Sequence, residues 1–454
     1  MDSSGLPVEE RVHRAVFYPD RSRNLRSLSI ANRFPAGVGG SAARRRLAPS
    51  VSDWLLLAAS ITVSLGLAEL GLRFFFPLFS SPYAPDDVAL VKIVPGAKKA
   101  FTRLRVNGGQ RIVAQFNSDG FRGEPLRAPD HLERVIVYGD SNVEADFSEL
   151  PATFPKQLES RLKPDVSSGV EVLNAGVDGY GPDQISVRLA GDLERFKPAL
   201  VVVVIFADND FGDLIRNRIY RLDSRGELEL NHYRLAPDLR ARMERAAYPQ
   251  GLRRLQLWRY TGRIWGVLRE RWSGATAKAQ RGFLANYVDS SLALNQQTFR
   301  ELTSDSSAAG YSADPMFDYY DADIALEPDS PSARYKTALM EKVLIKLRDT
   351  AAQAGTGLLL TILPSPVDAC DHYDMQVDTS RYPHYDRTRL SRLVEDMAVR
   401  NEIPYLNLWY AFRATDANRL YFHGGDNHWN DAGQAEAAQL AGEVIEHRHL
   451  LPKP

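Results

Sequence analysis

Four short segments contain the residue types that acyl transfer through a covalent intermediate requires. Ser141 follows an apolar run in the sequence Gly-Asp-Ser, and His428 lies near the end of the chain with Asp426 two residues before it. A serine hydroxyl, a histidine base and a carboxylate that orients the histidine can together form a nucleophile. Gly179 and Asn209 lie in the two segments between, where a backbone N–H and a side-chain amide could donate to an oxyanion. The ordered set predicts a hydrolytic active site.

Each segment also has an explanation without catalysis. Asp and Ser are common helix caps, Gly179 could belong to a glycine-rich turn, and Asn209 could end its strand in an Asx turn. His428 and Asp426 could be polar residues of a surface loop. An Asp-x-His pair occurs in metal sites too, but no cluster of further ligands accompanies it, so we expect neither a metal nor a cofactor.

Apolar runs that end at these segments predict strands, and amphipathic runs between them predict helices. Strands alternating with helices of ten or more residues indicate an α/β fold with a parallel sheet covered on both faces. The carboxyl ends of such strands are where sites assemble. The predicted strands are Arg134–Tyr138, Val170–Leu173, Leu200–Phe206, Gly357–Leu363 and Tyr405–Asn407. The predicted helices are Ala152–Leu162, Asp183–Arg195, Tyr335–Ala354, Thr388–Arg400 and Asp431–His447.

The alternation is interrupted over residues 211–334, which we interpret as an insertion into a domain spanning 133–454. Its segment Leu235–Trp272 has Arg, Leu, Trp and Tyr at helical spacings. An insertion after a catalytic strand could cover the site, or it could be a helical elaboration that only packs. Residues 81–132, before the domain, predict a lead-in of strands and loops.

The N-terminal part of the chain predicts a membrane anchor. Residues 1–50 lack a sustained apolar period, which is typical of a disordered tail, and residues 54–79 are apolar enough to span a bilayer. Arg44, Arg45 and Arg46 precede this run, so the positive-inside rule places the tail in the cytoplasm and residues after Ser80 outside it. The polar residues Glu69 and Arg73 are spaced to pair on one helix face near its end. The alternatives are a buried core helix and a cleaved signal peptide, although the run is long for a signal peptide and no clear small-x-small site follows it.

Bulk composition excludes other classes of function. The chain has 454 residues with a formal net charge of −1, which provides no general attraction to nucleic acid. Its single cysteine, Cys370, excludes an intrachain disulfide framework and a cysteine-cluster zinc site. We therefore predict an ordinary globular body with no nucleic-acid partner.

Taken in order, Gly-Asp-Ser, Asn-x-Gly-x-x-Gly, Asn-Asp and Asp-x-His resemble the four sequence blocks of the SGNH/GDSL hydrolase superfamily over residues 117–447. The resemblance implies a three-layer α/β sandwich in which Ser141 is the nucleophile, His428 the general base and Asp426 the residue that orients the histidine. It also implies an oxyanion hole made by the backbone N–H groups of Ser141 and Gly179 and the side chain of Asn209. The anchor and the Asn117-Ser118-Asp119-Gly120-Phe121 lead-in are similar to bacterial members associated with cell-envelope polysaccharides.

The chain departs from the family pattern at three positions. Asn142 stands where the family name has Leu, and Ala207 where Gly is usual. The family more commonly has Asp-x-x-His, but the residue three before His428 is Gly425. The Asp-x-His-Trp sequence instead resembles an envelope acetyltransferase-like branch, whose catalytic dyad has this spacing in a different chain order.

Three functions fit these residues. The first is a membrane-anchored esterase that removes acetyl groups from a carbohydrate or polysaccharide outside the cytoplasm. The second is a polysaccharide O-acetyltransferase, in which a sugar hydroxyl instead of water resolves the same acyl-enzyme. The third is a catalytically silent scaffold in an envelope assembly, against which the complete set of donors and acceptors argues.

Overall fold

The computed structural model describes residues 50–127, 132–163, 169–231, 234–273, 286–304, 311–312 and 318–451. Apart from Ser50, the predicted disordered tail lies outside these residues. Within them the chain forms two compact units. One contains the described parts of residues 79–249 and 278–454, and the other those of 17–78 and 250–277.

The larger unit has a central sheet and several short two-stranded pairings. The strands are β1 Tyr83–Pro85, β2 Val91–Ile93, β3 Lys98–Thr102, β4 Arg111–Gln115, β5 Glu133–Tyr138, β6 Val170–Asn174, β7 Leu200–Ala207, β8 Tyr220–Leu222, β9 Leu228–Leu230, β10 Arg234–Leu235, β11 Tyr311–Ser312, β12 Gly357–Pro364 and β13 Tyr405–Asn407.

The α-helices of both units differ widely in length. They are α1 Val51–Phe75, α2 Ser141–Glu144, α3 Phe154–Leu162, α4 Pro182–Phe196, α5 Asp210–Asn217, α6 Pro237–Ala247, α7 Gln256–Ser273, α8 Tyr287–Thr303, α9 Ala322–Leu326, α10 Pro331–Gln353, α11 Pro366–Ala369, α12 Arg389–Arg400, α13 Leu408–Thr415 and α14 Asp431–His447.

The central sheet is parallel, with the strand order β13-β12-β7-β5-β6. The chain passes from β5 to the edge strand β6 and then returns across the sheet to β7. Because both crossovers are right-handed, the helix between β5 and β6 (α3) and the helix between β6 and β7 (α4) lie on opposite faces of the sheet. Packing agrees, since α3 contacts α14 on one face while α4 contacts α10 on the other. The core lies on both faces of β7, every residue of which is buried. The predicted three-layer α/β fold is confirmed.

The helices and strands of the sheet agree with the sequence prediction to within a few residues. The strand Tyr405–Asn407 and the helix Asp431–His447 have the predicted bounds, and β7 extends the prediction by Ala207 alone. Burial explains the agreement, because a strand covered on both faces is a continuous apolar run rather than an alternating one.

The lead-in folds as two antiparallel hairpins, β1 with β2 and β3 with β4, followed by the predicted turn at Asn117. The side chain of Asn117 accepts hydrogen bonds from the backbone N–H groups of Asp119 and Phe121, at 2.9 and 3.0 Å. Gly120 occupies this turn with a φ of +83°, in the left-handed region that glycine favours.

The described residues of 211–334 form more helices and strands than the sequence predicts. Helix α5 follows β7 directly, β8 pairs with β9, and α8 and α9 pack with α10. Its central part, residues 250–277, does not cluster with the larger unit and instead belongs with residues 17–78. The described residues of the predicted insertion 211–334 thus belong partly to each unit.

The smaller unit contains α1, the one helix among the described residues that is long and apolar enough to cross a membrane. It begins three residues before the predicted run and ends at Phe75, short of the predicted Phe79. Pro77 explains the earlier end, because the residue before a proline is disfavoured in helical conformation. No residue of α1 is buried.

Candidate active site

Ser141, His428 and Asp426 come together in one chain of hydrogen bonds. The distance from Ser141 Oγ to His428 Nε2 is 2.8 Å, and that from His428 Nδ1 to Asp426 Oδ1 is 2.7 Å. With Nδ1 donating to the carboxylate, Nε2 is left to accept the serine proton. The same carboxylate oxygen also accepts from the backbone N–H of His428 at 3.2 Å, which fixes its position. The Asp-x-His spacing therefore lets the Asp426 carboxylate bond to the ring of His428.

The sheet positions the serine. Val137 of β5 is in register with Asn174 of β6, and Tyr138 with Val203 of β7, so β5 and β6 end side by side while β7 continues past them to Ala207. After β5, Asp140 caps the short helix α2 by accepting from the Asn142 N–H at 2.8 Å, which makes Ser141 the first helical residue. First-turn N–H groups have no partner within a helix. The Ser141 N–H also makes no hydrogen bond to the described residues.

The loop after β6 carries the second backbone donor. Val177–Tyr180 is a turn closed by a hydrogen bond from Tyr180 N to Val177 O at 3.0 Å, with Gly179 at a φ of +73°. The neighbouring peptide groups are held, since Asp178 N donates to Glu144 Oε2 at 2.7 Å and Gly179 O accepts from Arg216 at 2.6 Å. The Gly179 N–H between them makes no hydrogen bond to the described part of the chain. The Gly179 N–H is therefore held in position by its neighbours and can donate to a ligand.

Gly176 lets this loop approach the serine helix. A Cβ atom at residue 176 would lie 2.2 Å from the backbone nitrogen of Glu144 and 2.6 Å from the carbonyl carbon of Val143. Since both obstacles are backbone, any side chain would force the loop away from α2. Asn174 strengthens the contact by donating to Val143 O at 2.7 Å. The first and third residues of Asn-x-Gly therefore couple the two loops.

Asn209 lies two residues after β7, as the N-cap of α5, and is 2% exposed. Its side chain makes no hydrogen bond to the residues that the structure describes, and Oδ1 is buried without a partner. An amide in this state retains its N–H donors. The three predicted oxyanion donors, Ser141 N, Gly179 N and Asn209 Nδ2, thus lie at the ends of three neighbouring strands, and none is used by the described residues.

The charge environment of His428 stabilises its protonated form. Burial lowers the pKa of the imidazole, but the nearby Asp426 carboxylate outweighs it, with smaller contributions from Asp140 and Asp178, and raises the pKa to about 9. Burial raises the pKa of Asp140 to about 6, against the lowering effect of His428. The Asp426 carboxylate therefore favours the imidazolium form of His428.

Two residues outside the predicted set join the serine and histidine segments. The indole N–H of Trp429 donates to Asn142 O at 2.9 Å, and the backbone N–H of Trp429 donates to Asn142 Oδ1 at 3.3 Å. Asn142 is the position where the family name has Leu. Here its amide joins the nucleophile helix to the histidine loop, a role that a leucine could not fill.

The histidine loop has two further supports that the sequence did not indicate. Asn427 Nδ2 donates to Asp208 Oδ2 at 3.2 Å, which links the loop to the residue before Asn209. Asp374 Oδ2 accepts from the backbone N–H groups of Gly424 and Gly425, at 2.6 and 3.1 Å. Because these partners lie far apart in sequence, no local pattern could predict them.

Among the residues that the structure describes, no group of three or more His, Cys, Asp or Glu side chains is arranged to hold a metal ion.

No protein-family model matches the chain, and no curated protein matches it. Among solved structures, an acetylxylan esterase from Geobacillus stearothermophilus is 13% identical, with a TM-score of 0.33, over 69% of this chain and 94% of that one. A lipase/acylhydrolase from Enterococcus faecalis is 12% identical, with a TM-score of 0.32, over 70% of this chain and 96% of that one. TesA is 13% identical, with a TM-score of 0.33, over 70% of this chain and its whole length.

Proposed function

We propose that this protein is a serine-dependent acyl ester hydrolase that acts through an acyl-enzyme. The observation that carries the proposal is the hydrogen-bond chain from Ser141 Oγ through His428 to Asp426, at 2.8 and 2.7 Å. The uncommitted N–H groups of Ser141 and Gly179 and the amide of Asn209 support it, because a triad needs donors where the oxyanion forms.

The reaction follows from these roles. Ser141 Oγ attacks the ester carbonyl carbon while His428 Nε2 takes the hydroxyl proton, and the carbonyl oxygen becomes an oxyanion held by the three donors. The tetrahedral intermediate collapses, the ester C–O bond breaks, and the leaving alcohol takes the proton from Nε2. Water then attacks the acyl-enzyme with His428 again as base, which releases the carboxylic acid and restores Ser141.

The substrate class we propose is an acetylated carbohydrate or polysaccharide of the cell envelope. Its support is the resemblance of the four sequence blocks to the SGNH/GDSL superfamily and of Asp-x-His-Trp to its envelope branch. O-acetyl transfer to a sugar hydroxyl is the same chemistry with a different final acceptor, and we treat it as an outcome of the test below.

The place of action we propose is the outer side of a plasma membrane, with α1 as a single-pass anchor. The length and apolar surface of α1 support the anchor. The three arginines at positions 44–46 support an N-terminus in the cytoplasm.

The test uses the full chain in detergent micelles, treated with a fluorophosphonate probe and assayed with an aryl acetate. The probe loses fluoride as Ser141 Oγ bonds to phosphorus, so labelling reports the nucleophile directly. We expect labelling and turnover in the native protein and neither in Ser141→Ala. Ser160→Ala is the matched control, because Ser160 is exposed on α3 and donates only to Lys156 O at 3.0 Å.

The acceptor is then identified by adding carbohydrate oligosaccharides to the turnover assay. Acetate release unaffected by oligosaccharide supports hydrolysis, whereas acetylated oligosaccharide formed at the expense of acetate supports transfer. A folded native protein that neither labels nor turns over would overturn both and favour the silent scaffold.

A further inference from the structure

Helix α7 has two chemically different faces. At about 100° per residue, its apolar side chains fall within about half of the helix circumference. Those side chains are Leu257, Trp258, Tyr260, Ile264, Trp265, Val267 and Leu268. The other half carries Arg259, Arg263 and Arg269. An arginine-rich polar face opposite a face with tryptophan is typical of helices that lie in a membrane interface.

The apolar face of α7 is exposed within the protein. Trp265 is 69% exposed, Ile264 56% and Trp258 54%. Contiguous exposed apolar surface with a polar border marks an interaction site. Some partner must therefore cover this face.

The contacts of α7 with α1 indicate which partner that is. Both helices belong to the same compact unit. Glu69 Oε1 accepts from the backbone N–H of Gln256 at 2.9 Å, and Oε2 accepts from that of Leu257 at 3.0 Å, so the carboxylate caps the start of α7. The capping carboxylate is only 12% exposed and also pairs with Arg73 at 2.7 Å. Glu69, a charged residue in the otherwise apolar α1, thus joins the two helices.

Further contacts fix the start of α7 beside the end of α1. Tyr260 Oη donates to Phe76 O at 2.8 Å, and Arg259 Nη1 donates to Leu78 O at 2.6 Å. Since α1 ends at Phe75, these contacts lie where a membrane-spanning α1 would leave the bilayer. A helix fixed at that level has its exposed apolar face within reach of the lipid.

We propose that α7 is an interfacial helix that lies in the headgroup region of a phospholipid membrane. Its tryptophan face enters the upper acyl chains, and its arginines contact anionic headgroups. The partner is thus a lipid surface, recognised by apolar burial together with positive charge. The inference rests on the proposal that α1 spans the membrane, and the segment predicted as a possible cap acquires a membrane role instead.

The test places an environment-sensitive fluorophore on each face of α7 in the full chain. Ile264→Cys lies on the apolar face, and Arg263→Cys lies about 100° around the helix, on the face with the arginines. Both positions are exposed, and each is labelled with a nitrobenzoxadiazole maleimide. Val63→Cys, at an exposed position within α1, reports the anchor. The native Cys370 is 3% exposed, and burial raises its pKa to about 12, so it contributes little labelling.

The labelled proteins are reconstituted into vesicles of phosphatidylcholine and phosphatidylglycerol. We expect the label at 264 to emit at shorter wavelength than that at 263 and to be quenched severalfold more by lipids with a nitroxide on the upper acyl chain. We expect iodide in the water to quench the label at 263 preferentially. Vesicles of phosphatidylcholine alone should weaken lipid quenching at 264, and equal quenching in both vesicles would overturn the role of anionic headgroups.

Two results would overturn the interfacial location. Equal quenching by iodide at 263 and 264 would show an apolar face left in water. Protection of 264 from both iodide and lipid nitroxides would show that protein covers it, either a second copy or another partner. The label at 63 distinguishes failure of the interfacial helix from failure of the membrane anchor. If lipid nitroxides quench the label at 63 but not the label at 264, α1 spans the membrane and α7 is not an interfacial helix. If they quench neither label, both proposals are wrong.

Discussion

The protonation of His428 gives the site a characteristic pH dependence. Only neutral imidazole can take the proton of Ser141, and the ordinary pKa of histidine is about 6.5. Since Asp426 raises the pKa of His428 to about 9, the base is mostly protonated at neutral pH. We therefore expect kcat/KM for an aryl acetate to rise with pH, with a midpoint near pH 9 rather than near neutrality. A pH–rate profile of the full chain checks this.

Asp426→Asn provides the matched comparison for that profile. Without the carboxylate, burial is left to lower the pKa of His428, so the midpoint should move to lower pH. The plateau should fall as well, because the amide does not stabilise the imidazolium. A profile of Asp426→Asn whose midpoint coincides with that of the native protein would show that another group is being titrated.

The predicted role of Asn209 is confined to the transition state. Asn209→Ala should lower kcat by about 10²–10³-fold with little change in KM, since the oxyanion exists only after attack. Steady-state kinetics on an aryl acetate measure both constants. Asn231→Ala is the control, because Asn231 bonds Ile219 O through its backbone N–H and not through its side chain. A loss confined to KM in Asn209→Ala would instead indicate a substrate-binding residue.

The candidate site could be predicted from sequence only where its parts are local. Gly-Asp-Ser, Gly179, Asn209 and Asp-x-His each follow a recognisable strand or precede a helix. The residues that hold these parts together could not be predicted in that way. Asn142 contacts Trp429 across nearly 300 residues, and Asp208 contacts Asn427 across more than 200. Such pairs exist only once the sheet has brought the strand ends together.

Among the elements, the lead-in hairpins are part of the site rather than an appendage. The Nζ atom of Lys99, on β3, lies 3.1 Å from a carboxylate oxygen of Glu144, in the helix that begins at Ser141. It lies 3.4 Å from a carboxylate oxygen of Asp178, the residue before Gly179. It also lies 2.5 Å from Asp146 and contacts Tyr83. Although burial lowers the pKa of Lys99, the three carboxylates raise it further and keep the lysine charged. One buried cation thus holds the nucleophile helix and the oxyanion loop together.

Removal of that cation should affect both stability and catalysis. Lys99→Met leaves three carboxylates clustered without their counter-ion, and breaking a buried ion pair in this way costs about 3–5 kcal/mol. We expect a lower melting temperature and a lower kcat, because repulsion between Glu144 and Asp178 would displace the Gly179 N–H. Thermal unfolding and steady-state kinetics measure the two effects.

Lys98→Met is the control for Lys99→Met. Lys98 is adjacent on β3 but exposed, since successive strand residues point to opposite faces. Glu144→Gln introduced into Lys99→Met should recover part of the stability by removing one repelling charge. Equal stability of Lys98→Met and Lys99→Met would show that the buried cluster contributes nothing.

The sequence predicts the bounds of a helix or strand best where that element buries a regular pattern of apolar side chains. Strand β7 and helix α14 were predicted closely because each presents a clear apolar pattern to the core. Helix α9 was not predicted, and α10 begins four residues before the predicted Tyr335, where a buried ion cluster organises the chain. Lys336 there lies 2.6 Å from both Asp321 and Asp323, with all three side chains fully buried. Hydrophobic periodicity has no means of indicating such a cluster.

At the scale of the whole molecule, the chain places its sheet and its most apolar helix in different compact units. The larger unit contains the sheet and every residue of the candidate site, whereas the smaller contains the apolar α1 and the amphipathic α7. Under the proposed function, a hydrolase anchored to a membrane by α1 is suited to an ester carried by a polymer at the cell surface. Which side of the membrane the catalytic unit occupies, and thus which substrates it can reach, would then depend on the direction in which α1 crosses the membrane.

The positive-inside rule predicts that orientation, and thiol labelling can test it. Ser27→Cys lies in the N-terminal tail, and Ser380→Cys is an exposed position of the catalytic unit. A membrane-impermeant maleimide applied to cells stripped of outer permeability barriers should label Ser380→Cys at once and Ser27→Cys only after the plasma membrane is permeabilised. The native protein is the control, because Cys370 is buried. Labelling of Ser27→Cys in intact cells, with Ser380→Cys protected, would place the active site in the cytoplasm and exclude an envelope polysaccharide as the substrate.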